Sequence, residues 1–193
     1  MVSLVEPYID GVTHSTVLRV TRASVFACSR PRPGLKQFML DLKQLCNFLV
    51  KAKKSTYAAG ESAPKIIEDD KSTTMIFTDG NWKYHDNYFG GEPYGGRKVV
   101  FYENKPVYIM TYYGSVSENV TDLKSIYGFL QQALLLIPED KPFRGPKEYQ
   151  ANGFKYLNEF TGEIDNFSGE EKIYQNNNLI YRAKYAGGLV DQK

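Results

Sequence analysis

Most of this chain is one helix-plus-antiparallel-strands unit written twice, and that repetition limits the architectures open to it. Asp41-Leu-Lys-Gln-Leu-Cys-Asn-Phe-Leu-Val-Lys-Ala52 set against Asp122-Leu-Lys-Ser-Ile-Tyr-Gly-Phe-Leu-Gln-Gln-Ala133 gives six identities in twelve positions, at an offset of 81. Gly96–Gly114 set against Gly169–Gly187, offset 73, pairs Gly96/Gly169, Asn104/Asn177, Tyr108/Tyr181, Tyr112/Tyr185 and Gly114/Gly187 without a gap. Upstream, Trp82-Lys83-Tyr84 matches Phe154-Lys155-Tyr156 at offset 72. Helix, strands and turn recur in one order, which two unrelated amphipathic helices and two generic hairpins would not require. The expected fold is therefore α+β: an internally duplicated unit with two main helices packed on antiparallel sheet. Repeat 1 spans about 37–115 and repeat 2 about 121–190, in a single domain 37–193.

Local patterns agree. Leu35, Phe38, Leu42, Leu45, Cys46 and Leu49 recur at spacings of three and four, which predicts an amphipathic helix from about Leu35 to Lys53. Strand signals follow at Thr73–Thr78, Trp82–Tyr88, Lys98–Tyr102 and Val107–Tyr113. Glu103-Asn104 suits a tight turn, since Asn tolerates positive φ. Thr121 is the expected N-cap of a second helix, Asp122–Leu136, ended by Pro138. Strands resume at Phe154–Phe160, Glu171–Gln175 and Leu179–Tyr185. Alternation puts Tyr108, Met110 and Tyr112 on one strand face, and Tyr181, Ala183 and Tyr185 on its counterpart. Those faces are expected to be core. The other face carries Val107, Ile109, Thr111 and Tyr113 in the first copy but Ile180, Arg182, Lys184 and Ala186 in the second. The apolar one needs a cover: the N-terminal arm, a dimer partner or a ligand.

Residues 1–36 read differently and end in the linker-like run Ser29-Arg30-Pro31-Arg32-Pro33-Gly34. Two alternatives stand open there: a non-native or disordered leader created by a start upstream of Met39, or an arm that packs as an edge strand (Thr16–Val20). Of the net charge of +2, the five cations Arg19, Arg22, Arg30, Arg32 and Lys36 face only Glu6 and Asp10 in residues 1–38, so the rest of the chain is at −1. That body has no electrostatic footprint for nucleic acid. No apolar run approaches a membrane span, and the start lacks the apolar stretch of a signal peptide, so a cytoplasmic protein is expected. The two cysteines, Cys28 and Cys46, form no CxxC, and only His14 and His85 could join them. No metal site, cofactor motif or Ser/His/Asp or Cys/His set is visible.

The stretch Tyr84-His-Asp-Asn-Tyr-Phe-Gly-Gly-Glu-Pro-Tyr-Gly-Gly-Arg97, continuing to Tyr112-Tyr113-Gly114, resembles a family of uncharacterised bacterial and archaeal domains, domain-of-unknown-function family 5680. Pro142-Phe-Arg-Gly-Pro-Lys-Glu-Tyr149 and Phe167-Ser-Gly-Glu-Glu-Lys-Ile-Tyr174 are similar too, so the resemblance runs from about Met39 to Val190. Members often follow a phage-repressor-type helix-turn-helix, and the resemblance implies a stand-alone member here. It supplies no catalytic residues.

Tyr84, His85, Asp86, Tyr88, Glu92, Tyr94 and Arg97 form the densest polar group, around a loop with two Gly pairs that lets backbone approach a ligand. It is no P-loop, because no Lys-Ser/Thr follows. His85 beside Asp86 could act as an oriented base, but strand neighbours point to opposite faces. Glu92 and Arg97 suit a surface ion pair or a ligand clamp. Glu163, Asp165, Glu170 and Glu171 read as solvated loop charges. The candidate ligand-binding residues are Tyr84, Asp86, Tyr88, Glu92, Tyr94, Arg97, Tyr112 and Tyr113. The expected function is a sensor or regulatory module holding a small molecule or peptide. The alternatives are a homodimeric interaction module using Val107, Ile109 and Tyr113, and a hydrolase or isomerase using His85, Asp86 and Glu92.

Overall fold

Nine antiparallel strands lie side by side in one sheet, in the order β1-β2-β3-β4-β5-β9-β8-β7-β6. The computed structural model describes residues 40–191. The elements run α1 (Leu42–Ser55), a 3-10 turn (Tyr57–Ser62), β1 (Ile66–Ile67), β2 (Thr73–Asp79), β3 (Trp82–Phe89), β4 (Tyr94–Tyr102), β5 (Lys105–Val116), α2 (Leu123–Leu135), β6 (Glu148–Ala151), β7 (Phe154–Glu163), β8 (Asn166–Gln175) and β9 (Asn178–Leu189). β5 and β9 meet at the centre and each half steps outward from that seam. The α+β expectation holds: two helices pack on a large antiparallel sheet. Residues 1–36, for which a leader or an edge-strand arm is expected, lie outside the described residues.

Both helices start on an aspartate. Asp41 accepts from Lys43 N at 2.9 Å and Gln44 N at 3.2 Å, with extended backbone, so α1 begins at Leu42; the part of the expected helix before residue 40 lies outside the described residues. Asp122 accepts from Ser125 N at 3.1 Å and is the cap of α2, which displaces Thr121 from that role. A carboxylate reaches the free amides of a first turn and carries the charge the helix dipole favours there; each cap contributes about 1 kcal/mol.

Strand ends depart from the sequence expectation mainly by length. β4 begins at Tyr94, inside the glycine-rich stretch, because Tyr94 and Gly95 continue the ladder against Gly114 and Tyr113. β6, Glu148–Ala151, precedes Phe154, where the sequence signals resume the strands. Three hairpin turns, Glu103-Asn104, Asn152-Gly153 and Asn176-Asn177, have positive φ at both central residues, the geometry that matches strand twist.

One sheet face carries the core. α1 packs Leu45, Phe48, Leu49 and Ala52 onto Tyr84, Val100, Tyr108 and Met110. α2 packs Ile126, Phe129, Leu130 and Ala133 onto Tyr156, Ile173, Tyr181 and Ala183. The expected tyrosine faces of β5 and β9 are thus interior. Gly96 and Gly169 sit under the two tyrosines that cross the sheet. A Cβ on Gly96 would fall 2.8 Å from the Tyr112 hydroxyl, and one on Gly169 would strike Tyr185. Glycine is required at both, to let a ring lie flat across the neighbouring strand.

Candidate functional site: a tyrosine-walled cavity over a buried ion cluster

Alternation along β3 turns Tyr84, Asp86 and Tyr88 inward and His85 outward. Asp86 is directly opposite Lys98 of β4, and both are buried, with Nζ 3.2 Å from Oδ2. Tyr112 reaches back over Gly96 and donates its hydroxyl to Asp86 Oδ1 at 2.6 Å; Tyr84 donates to Oδ2 at 3.4 Å. The Lys98 ammonium stands 5.2 Å from the Tyr112 ring centroid, a cation–π distance. Burial pulls the Lys98 ammonium below its ordinary range, against the pull of Asp86. The Tyr112 phenol is pushed well above its ordinary value, first by burial and then by the Asp86 charge.

A second buried pair lies beside the first. Arg144, in the loop after α2, bonds Glu171 of β8 through Nη2, and Glu171 also accepts from Tyr156 and Tyr181, both at 2.8 Å. Tyr94 donates to the Tyr181 hydroxyl at 2.5 Å, so a chain of hydroxyls links β4 to Glu171. Burial pushes the Tyr94 phenol up to about 12. Burial opposes the Arg144 charge, yet the Glu171 carboxylate outweighs it and holds the guanidinium protonated. The loop is pinned on three sides. Lys53 of α1 donates to the Pro142 and Phe143 carbonyls at 2.5 and 2.8 Å, Gly145 N donates to Tyr156 at 3.1 Å, and Asn158 donates to the Gly145 carbonyl at 2.9 Å. The Lys53 ammonium is held well below its ordinary value by burial, then by the Lys98 and Arg144 charges.

Over this cluster opens a cavity of about 220 Å³. Tyr57, Tyr88, Tyr94, Tyr112 and Tyr127 wall it, with Thr73, Gly90 and Gly91 at its edge and Asp86, Lys98 and Arg144 among its lining. Gly90 has φ of +78°, which shapes the β3–β4 loop at the mouth. Glu92 fixes that loop: it accepts from Val116 N at 2.8 Å and from the Tyr127 hydroxyl.

Four of the eight residues singled out from sequence line this cavity: Asp86, Tyr88, Tyr94 and Tyr112. Tyr84 lies fully buried beneath it and Glu92 holds its loop. Arg97 and Tyr113 belong to the opposite sheet face, Arg97 beside Lys83 and His85, Tyr113 largely exposed. Glu92 therefore does not pair with Arg97. His85, Asp86 and Glu92 do not converge either, because the sheet separates His85 from Asp86. Of the outer face expected to need a cover, Val107 packs against the core cluster, while Ile109 lies in a shallow hollow with Val99, Phe101 and Val190.

Sequence reasoning missed Lys98, Arg144, Tyr57, Tyr127 and Glu171. Glu171 is fully buried and is no solvated loop charge, because β8 starts at Asn166 and carries it inward. One signal was available. Lys98 and Glu171 occupy the same position of the ungapped offset-73 alignment, on strand faces that are otherwise apolar. Opposite charges at matched interior positions need partners, and the partners define the site.

A family model for a domain of unknown function, DUF5680, matches residues 86–190. The chain belongs to the DUF5680 family. The DUF5680 match covers roughly half the length, from Asp86 through β9, and so spans both buried ion pairs, whereas α1 and β1 precede it. Neither curated proteins nor solved structures gave a match. Among the described residues no helix is long and apolar enough to cross a membrane, and no three His, Cys, Asp or Glu side chains converge to hold a metal ion.

Proposed function

We propose that this DUF5680 chain is a small-molecule-binding sensor or regulatory module whose ligand enters the tyrosine-walled cavity. The cavity itself carries the proposal: five tyrosines and three buried charged side chains meet around about 220 Å³. Binding sites combine apolar walls with a few fixed polar groups in this way. The volume is below the ~300 Å³ at which pockets for drug-sized ligands begin. A metabolite-sized ligand therefore suits it better than a peptide. A thermal-unfolding screen of small metabolites tests the proposal. A ligand at a hundredfold its Kd adds about 2.7 kcal/mol, or about 5–10 °C in Tm at this length. Tyr88→Ala, which removes one wall, should abolish the shift. A hit that stabilises the variant as well as the parent would place the ligand elsewhere.

We also read the two halves as copies of one unit. The sequence pairs at offsets 72 and 73 fall on β3/β7, β4/β8 and β5/β9, and both β4–β5 and β8–β9 shift register at the matched step, Val100/Phe101 and Ile173/Tyr174. The outer face supports a second reading, a homodimer, through exposed Ile76 and Tyr113. A monomeric mass at micromolar concentration would remove it.

A further inference from the structure

We propose that the ligand of this cavity is a small ring-bearing carboxylate, its charge held by Arg144 and Lys98 and its ring by the tyrosines; this rests on the cavity being a binding site. The argument is a count of donors and acceptors. Asp86 already accepts from Tyr112, Tyr84 and Lys98. Glu171 already accepts from Arg144, Tyr156 and Tyr181. Both carboxylates are therefore well supplied. The cations are not. A lysine ammonium has three N–H groups and a guanidinium five. Among the described residues the one carboxylate that Lys98 meets is Asp86 and the one that Arg144 meets is Glu171; beyond these both stand over the Tyr112 ring, and the buried Arg144 Nε is unpartnered. Donors are thus in surplus over protein acceptors around the cavity, and an unpaired buried donor is costly.

Charge points the same way. Two cations, Lys98 and Arg144, line the cavity against a single lining carboxylate, Asp86, while Glu171 lies behind Arg144. An anion in the cavity meets both cations directly, and charge-assisted bonds to lysine and arginine are the strong ones. The walls choose the rest of the molecule. Tyr94 meets Tyr112 at 56° and Tyr127 at 66°, so the rings form an angled cup that suits a flat apolar body. At a liquid share of about 30 Å³ per water, the space equals roughly seven waters, which suits a single ring with its acid group.

The test is isothermal titration of the full chain with benzoate, neutral benzamide, cationic benzamidine and acetate, each at millimolar concentration. Benzoate should bind at least about tenfold more tightly than the other three, the size of one charge-assisted hydrogen bond. Tyr88→Ala should weaken benzoate, and Lys98→Gln should weaken benzoate while leaving benzamide unchanged. Benzamide or benzamidine binding as well as benzoate overturns the anion assignment and leaves the cavity as a site. Acetate binding equally well overturns the ring. If none of the four binds, the ring-carboxylate assignment is overturned while the metabolite screen still decides the cavity; if Tyr88→Ala leaves benzoate binding unaffected, benzoate does not sit in the cavity and the assignment is overturned as well. The comparison among probes on the parent chain decides the question even if Lys98→Gln does not fold.

Discussion

The two halves of the sheet treat matching interior positions in opposite ways. In the first half the cross-strand pair is Asp86–Lys98, a charge pair complete within β3 and β4. In the second half the same register holds Asn158 opposite Glu171, and the cation arrives from outside the sheet as Arg144. A tyrosine crosses a glycine in both: Tyr112 donates to Asp86 at 2.6 Å, Tyr185 to Asn158 at 2.7 Å. The walls then diverge. Tyr88 and Tyr94 of the first half face a cavity. Phe160 and Phe167 stand at the equivalent places in the second, and Phe143 fills the space between them, 4.0 Å from the Phe167 ring and 5.3 Å from that of Phe160. One scaffold thus carries a packed end and a hollow end. The hollow end keeps hydroxyls and charges where the packed end keeps phenylalanine rings.

The most severe way to break this contrast is to hollow the packed end. Phe143→Ala should cost about 3–5 kcal/mol, since Phe143 is fully buried between two rings. Urea unfolding would show it, and a loss under about 1 kcal/mol would mean the ring is not the filler described. Arg144→Met should approach the same cost, about 3–5 kcal/mol, because it strands the Glu171 charge in the interior. Adding Glu171→Gln should recover much of that loss; a double variant no more stable than the single would show that the charge is not the cause.

A finer comparison sets Tyr112→Phe against Tyr185→Phe. The first removes a bond to a carboxylate, at about 2 kcal/mol; the second removes a bond to an amide, at about 1 kcal/mol. Equal losses would argue that the Asp86 acceptor is no stronger a partner than the Asn158 amide.

The smallest effect concerns the outer face. Burial, then Lys83 and Arg97, hold the His85 imidazole below its ordinary value of about 6.5. The unfolded chain therefore takes up the proton first, so His85 favours the fold above pH 6.5 and that contribution is lost as pH falls toward the depressed value. His85→Leu, the residue that β7 carries at the matched position 157, should flatten the decline in stability between neutral pH and pH 5. An unchanged slope would assign the decline to other groups.

Local patterns carried much of the fold. The three-and-four spacing of Leu42, Leu45 and Leu49 marks α1, and the Asn-bearing turns mark the hairpins, because helix faces and positive-φ turns depend on residues a few positions apart. Alternation along β3 likewise put Tyr84, Asp86 and Tyr88 on one face. It could not say which face Arg97 and Tyr113 shared with them. That depends on register across three strands, and one residue of shift reverses every side chain.

What the sequence by itself determined is the α+β class, the tyrosine faces and the β3 part of the cavity wall, since each follows from short-range periodicity. The tertiary structure alone decided that Arg144 would answer Glu171, that Tyr57 and Tyr127 would close the cup, and that Phe143 would fill one half and leave the other open. Those contacts join residues from separate elements, and nothing in local spacing records which buried charge meets which partner. In the interior, a charge without its partner costs several kcal/mol, so the chain settles the pairing only when the helices and the loop after α2 close over the sheet.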